Sequence, residues 1–259
     1  MKFAVISDIH LLEENREEAL RLLDRTIDEI ERRGPELVIV LGDLIGGAVT
    51  TGIEAPEEDE GLEELKEIRD RFDSLEAEKL YLAGNHEQDV GPEQFSDLFS
   101  QENFGIREVG GEKFVFLDSS APELSGSRGQ VSRDQLKFLD ETLESLDEAF
   151  LVIHHPVHFR DLSHSYFWDV YPERAFCGNK KEINNVLQKH DNVKAVFNAH
   201  IHDLDLTEYK GRPHFTNPPF ISEDRKEGFN QYFTMVDVSD AGLELEVFVE
   251  GEVERSFSI

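Results

Sequence analysis

Histidines, aspartates and one asparagine recur directly after apolar runs in this chain of 259 residues. SDIH (7–10) follows KFAVI, GD (42–43) follows LVIVL, GNHE (84–87) follows KLYLA, HHP (154–156) follows AFLVI, and NAHIH (198–202) follows VKAVF. Asp8, His10, Asp43, Asn85, His86, His154, His155, His200 and His202 thus fall at the C-terminal ends of five expected strands, the edge where open α/β sheets bind ligands. Taken singly, each is a turn former, a helix cap or a buried histidine. Six of the ten histidines sit at such ends, however, and nothing in the construction of a sheet requires this. Imidazole, carboxylate and one amide oxygen, without thiolate, form a donor set suited to Mn, Fe, Zn, Co or Ni rather than to a structural zinc. In Asp8-Ile9-His10 and His200-Ile201-His202 the i, i+2 spacing puts both polar side chains on one side of an extended segment. Three oxygen donors and three or four imidazoles are too many for one ion and suit two. A pair of ions roughly 3.5–4 Å apart generates hydroxide from water and neutralises both oxygens of a phosphoryl displacement.

The elements that must position these residues are apolar strands alternating with amphipathic helices. KFAVISD is a buried strand. NREEALRLLDRTIDEIERRG is a helix with Leu20, Leu23, Ile27 and Ile30 on one face, stopped by Gly34-Pro35. LVIVLGD is the next strand, and GGAVTTGIEAPEEDEG after it is long enough for a functional loop. A helix through Leu62, Leu65, Ile68, Phe72 and Leu75 follows. KLYLAGNHE, KFVFLDSS and AFLVIHHP are further strands, and Ser132 with Gln135 is a capping-box signature opening a helix that carries Leu136, Leu139 and Leu143. Residues 157–180 hold Phe159, Tyr166, Phe167, Trp168, Tyr171 and Phe176 without regular periodicity and read as a lid or binding insertion. A short helix around Ile183 to Leu187 precedes VKAVFNAHIH. From residue 204 onward, YFTMVDVS, LELEVFVE and VERSFSI have the character of antiparallel hairpins. The expected fold is one α/β domain over 1–259, with mixed sheets and a β-rich C-terminal part over 204–259.

The net charge of −30, from 56 acidic and 26 basic side chains, is unfavourable for binding nucleic acid or an anionic membrane. Self-repulsion of that size is tolerable where salt screens it, since the Debye length is roughly 3 Å at about 1 M ionic strength. A salt-rich cytoplasm, as in halophiles, is the implied setting. Hydrophobic residues at 39% and aromatics at 10% exclude acidic disorder. The single Cys177 excludes an internal disulfide and fits a reducing compartment. No secretory leader is evident, and no apolar run approaches the roughly 20 residues of a spanning helix.

The ordered set SDIH, GD, GNHE, HHP and AHIH resembles the calcineurin-like binuclear metallophosphoesterases over roughly the first 200 residues. That resemblance implies a four-layer α-β-β-α sandwich of two mixed sheets, and two transition-metal ions, of Mn, Fe or Zn. It implies one ion on Asp8, His10 and His202, a second on Asn85, His154 and His200, and Asp43 bridging them. A hydroxide between the ions would attack phosphorus, with His86 as the acid, oriented by Glu87 or Asp8. His155 is read as lying outside the ligand set or facing substrate. Ala199 stands where the family usually has glycine, which requires a backbone free of positive φ there. GDLIGGA lacks the arginine of the protein-phosphatase pattern, so the layout is closest to the cyclic-nucleotide and glycerophosphodiester phosphodiesterases and related phosphohydrolases of small substrates. Arg160, His164, Tyr166, Trp168 and Arg174 of the insertion, with PHFTNPP (213–219), are the candidate substrate contacts. A small core of the insertion itself competes with that reading. The other classes of function are a non-catalytic metal-binding scaffold and a nuclease acting with partner subunits; a full ligand set opposes the first, and the charge opposes the second.

Overall fold

The computed structural model describes residues 1–13, 16–46, 58–120, 124, 126–221 and 229–259. In chain order these form β1 (Lys2–Ile6), α1 (Arg16–Arg33), β2 (Leu37–Leu41), α2 (Glu58–Phe72), β3 (Glu78–Leu82), α3 (Pro92–Phe99), β4 (Gly105–Val109) and β5 (Glu112–Leu117). There follow α4 (Arg133–Ser145), β6 (Ala149–Ile153), α5 (Tyr166–Val170), α6 (Lys180–Leu187), β7 (Val193–Asn198), β8 (Asp205–Tyr209) and β9 (Arg212–Thr216). β10 (Phe233–Ser239), β11 (Gly242–Val249) and β12 (Glu252–Ser258) complete the order. The loop expected after β2 lies, over 47–57, outside the described residues.

Two six-stranded sheets result, ordered β12-β11-β10-β1-β2-β3 and β4-β5-β6-β7-β9-β8. Both are mixed, as expected. β1, β2 and β3 run parallel, and the C-terminal strands join them through the antiparallel β1–β10 pair. In the second sheet β5, β6, β7 and β9 are parallel. Period-two alternation divides each strand between two faces. Phe3 and Val5 of β1 meet Phe114, Phe150 and Phe197 between the sheets, with Phe3 edge-on to Phe114 at 5.1 Å. Ala4 and Ile6 point the other way, onto Leu20, Leu23 and Ile27 of α1 and Ile68 and Phe72 of α2. On the far side of the second sheet, Leu151 and Ile153 pack with Leu139 and Leu143 of α4 and Ile183 and Leu187 of α6. The layers are therefore α-β-β-α.

Local signals account for the ends of the helices. Arg32 and Arg33 occupy the last turn of α1, where cations oppose the helix dipole, and Gly34 takes a φ of 63° after it. Ser132 Oγ accepts from Gln135 N at 3.2 Å to open α4. The expected reciprocal half of that capping box is corrected, because the Gln135 amide pairs with the backbone N–H and carbonyl of Asp118. Among the described residues no helix is long and apolar enough to cross a membrane.

Candidate metal centre

All five strand ends converge at one edge of the sandwich, but not as extended segments. Asp8 and His10 have φ of 52° and 47°, Asp43 53°, and His200 and His202 71° and 59°. Five of the nine non-glycine residues with positive φ among the described residues belong to this set. The extended i, i+2 presentation is thus corrected to left-handed turns. Such backbone costs of order 1–3 kcal/mol per residue and persists only where surrounding bonds dictate it. Those bonds are present: Asp8 N donates to Gly42 O at 3.0 Å, His10 N to Asp43 O at 3.1 Å, and Ile201 N to Ala199 O at 2.8 Å. The last bond closes a γ-turn around His200. Ala199 itself is buried, has no positive φ and donates to His154 O, so the alanine is accommodated and the strain falls on the histidines. Gly42 and Gly84 are required for another reason. A Cβ on Gly42 would lie 2.7 Å from both Gly84 N and His154 Nδ1, and one on Gly84 would lie 2.2 Å from Asp43 Oδ1.

The donors gather into two groups, Asp8 with His10, Asp43 and His202, and His154 with His155 and His200. Within each, the possible ligand atoms all lie within 4.8 Å of one another. In the first, His10 Nε2 and His202 Nε2 approach to 2.9 Å, and His202 Nε2 lies 3.5 Å from Asp8 Oδ1. Asp43 links the two. Its Oδ2 is 3.3 Å from His154 Nε2, 3.9 Å from His10 Nε2 and 4.0 Å from both His86 Nε2 and His200 Nδ1. Its Oδ1 accepts from His86 N at 3.0 Å. The rings are turned by their outer nitrogens: His154 Nδ1 donates to Leu41 O at 2.7 Å and His200 Nε2 to Arg174 O at 2.9 Å. A carbonyl only accepts, so in each neutral ring the inward nitrogen keeps its lone pair. His155 Nδ1 meets Ser119 Oγ at 2.8 Å.

This donor set fits metal ions. Both oxygens of Asp8, the Asn85 amide oxygen and nitrogen, His154 Nε2, His155 Nε2 and His200 Nδ1 are buried without a hydrogen-bond partner. Orphaned polar atoms of this kind are costly, and Asp8, His154, His155 and His200 are members of the two groups. Charge is arranged accordingly. Burial raises the Asp43 carboxyl, but the neighbouring His154 and His86 hold it well below its ordinary range. Burial lowers His154, but Asp43 and then Asp8 bring it up to about 9. His155 and His200 are pushed down, chiefly by burial.

His86 falls outside both groups, 2% exposed, with its ring 4.4 Å from that of His10. The hydrogen bonds of Glu87 run to backbone rather than to His86. Oε2 accepts from Asp43 N and Gly84 N, and Oε1 from Leu44 N and Ile45 N, so one buried carboxylate ties the GD and GN loops together. Burial and the charge of Asp43 push it up to about 7. Sequence reasoning noticed this residue and missed its role. It took Asn217 only as part of a substrate rim, whereas its amide donates to Ser7 Oγ and its backbone N–H to Asn198 O, joining the ends of β1 and β7.

The insertion is more internal than expected. Trp168 is 8% exposed and donates its indole N–H to Ile201 O at 2.9 Å. Arg160 pairs with Asp203 and lies 3.4 Å from Asp205, and exposed His164 meets Asp203 at 2.9 Å. Arg174 stacks over Tyr171 at 4.9 Å. Of Tyr166 the side chain is outside the description. The expected rim PHFTNPP is corrected: His214, Phe215, Thr216 and Asn217 are buried, because β9 pairs with β7 inside the second sheet.

Residues 1–204 match the sequence profile of the calcineurin-like phosphoesterases. The chain is 25% identical to a probable cyclic nucleotide phosphodiesterase of Synechococcus over 82% of its own length and 80% of that protein. It is also 25% identical to a 3',5'-cyclic adenosine monophosphate phosphodiesterase of Haemophilus influenzae, over 98% and 88% respectively. A dimetal phosphatase from Danio rerio superposes with a TM-score of 0.75 at 16% identity, covering 100% of this chain and 98% of the other. The fold extends to GAP50, an anchor in the inner membrane complex of Plasmodium, at a TM-score of 0.62 and 12% identity over 100% and 88%. At such identities the likeness is one of fold alone, and the fold serves both a phosphatase and an anchor.

Proposed function

The chain belongs to the calcineurin-like phosphoesterase family, a family of metal-dependent phosphohydrolases, and from that premise we propose that it hydrolyses small phosphodiesters, cyclic nucleotides foremost, at a two-metal centre. The substrate class rests on the cyclic nucleotide phosphodiesterases among its relatives. Asp8, His10 and His202 would hold one ion, Asn85, His154 and His200 the other, with Asp43 between them. The observation that carries this assignment is Asp43 Oδ2, placed within 4.0 Å of four imidazole nitrogens drawn from both sheets. The ions, of Mn, Fe or Zn, would supply Lewis acidity at the phosphoryl oxygens and activate water for attack.

The protein's own groups do the rest. His86, keyed to Asp43 through its backbone N–H and edge-on to His10, delivers a proton to the departing alkoxide. Glu87 fixes the two loops that carry Asp43 and Asn85. Residues 1–259 act as one domain, a reading supported by the pairing of β10 with β1. The charge of −30 supports a salt-rich cytoplasm, and hence activity that holds in high KCl.

The test couples metal content with leaving-group dependence. The unaltered chain binds two ions and hydrolyses cyclic nucleotides and bis(p-nitrophenyl) phosphate. His86→Ala keeps both ions but loses roughly a hundredfold or more on poor leaving groups, and far less on p-nitrophenolate, which needs little protonation. Equal losses on both would remove His86 from the acid role.

A further inference from the structure

Ile201, between the two histidines of AHIHD, does not pack with the strand that precedes it. It is 1% exposed and belongs to a small separate core with Leu162, Trp168, Ala175 and Phe176, all from the insertion. The insertion also grips the same loop by polar contacts. Trp168 Nε1 donates to Ile201 O at 2.9 Å, Arg174 O accepts from His200 Nε2 at 2.9 Å, and Arg160 and His164 both reach the Asp203 carboxylate. The indole ring stands 4.9 Å from the His200 ring. Both histidines flanking Ile201 carry positive φ, a conformation that the loop must be made to adopt.

We propose that residues 157–180 form a clamp on the metal loop, and that Trp168 is a positioning residue that sets His200 and His202 through Ile201. The inference rests on the two-metal reading above. In this arrangement the side chain of Ile201 is a key seated in the insertion's core, and its carbonyl is pinned by the indole N–H. Rotating the loop to relax either histidine would withdraw the key and break the pin. The imidazole group has no carboxylate of its own and only Asp43 beside it to draw an ion in, so its affinity depends most on rings held ready. Outer contacts that orient metal-binding histidines typically govern affinity by about 10–100-fold.

Trp168 is the only tryptophan, and this gives a direct readout. On the unaltered chain, Co2+ added to metal-free protein should quench the tryptophan emission as the imidazole group fills, whereas closed-shell Zn2+ should not. Trp168→Phe keeps an aromatic ring in the core and removes the N–H. It should melt close to the unaltered metal-free protein and yet bind one of two Co2+ ions about tenfold more weakly in competition with a chromophoric chelator. A substitution that only loosens the fold, Phe233→Leu in the distant first sheet, should lower the melting temperature without that change in affinity. Two ions bound by Trp168→Phe at unaltered affinity would overturn the clamp while leaving the two-metal reading intact. No ion bound by the unaltered chain would overturn that reading instead. If Trp168→Phe fails to fold, the fluorescence titration decides, and emission indifferent to bound Co2+ defeats the proposal.

Discussion

The two donor groups of the centre are built from opposite materials. Asp8, His10, Asp43 and His202 combine two carboxylates with two imidazoles, and His202 keeps 21% of its side-chain surface exposed. His154, His155 and His200 are imidazoles throughout and at most 2% exposed. The first group attracts a cation through its carboxylates and tolerates hard ions; the second offers borderline nitrogen donors only. A site with no carboxylate of its own exerts little pull, so it has to be assembled beforehand. Leu41 O, Ser119 Oγ and Arg174 O do this by turning each ring. The groups are also tied together across the sandwich. Asp43, from the first sheet, reaches the imidazoles of the second, and His202, from the second, completes the group around Asp8. The first group does not form unless the two sheets are held in register.

The largest expected effect comes from removing the carboxylate shared by both groups. Asp43→Asn should take the metal content from two ions to below one and cost about 10³ in kcat, or about 4 kcal/mol of barrier. Asp8→Asn is the contrast. It should empty only the first group, leaving one ion bound and the Co2+ quenching of Trp168 in place. Equal metal loss in the two variants, measured by elemental analysis and calorimetry, would erase the distinction between the groups.

A smaller effect should follow from Glu87→Gln, which changes no donor atom. Each Glu87 oxygen accepts two backbone N–H groups, so an amide NH2 in place of either oxygen leaves two buried donors unsatisfied. The expected cost is about 2 kcal/mol of stability. Because the GD loop serves both groups, affinity should fall for both ions together, by about tenfold. Loss confined to one ion would mean that Glu87 supports one loop only.

Much of this was legible in the residues. Apolar runs ending in Asp, Asn or His marked the strand ends, and their number and donor types indicated two ions rather than one. The layers followed from alternation in the strands and from Leu20, Leu23 and Ile27 along α1. Two things were not legible, for physical reasons. Residue type does not report the sign of φ where the residue is not glycine, so Asp8, His10, Asp43, His200 and His202 were expected in extended segments. Bonds that close over long separations are equally silent: Glu87 reaches back 44 residues to Asp43 N, and Asn217 spans 210 residues to Ser7 Oγ. Exposure of a polar stretch was also misjudged at PHFTNPP, where pairing with β7 buries His214.

His214 supplies the smallest and most discriminating test, because it shows what a buried histidine does when it is not part of a metal group. Its ring lies 4.9 Å from that of buried His158, which in turn faces Asp205 at 3.5 Å, yet these residues form neither of the two groups whose donor atoms converge. Burial, followed by the positive fields of His158 and Arg212, pushes His214 down to about 3, from an ordinary value of 6.5. Above pH 6.5 folded and unfolded chains both hold it neutral, and its contribution to stability is fully present. Below that, the unfolded chain takes up a proton that the folded chain refuses, so stability falls as pH drops towards 3, by about 1.4 kcal/mol per pH unit once the unfolded form is protonated. His214→Gln, in metal-free protein, should flatten the melting temperature between pH 6 and 4 relative to the unaltered chain, with metal affinity at neutral pH unchanged. Parallel melting profiles would show that acid sensitivity resides elsewhere. A change in metal affinity would instead extend the imidazole group beyond His154, His155 and His200, and the contrast between a carboxylate-bearing group and a pre-oriented imidazole one would have to be redrawn.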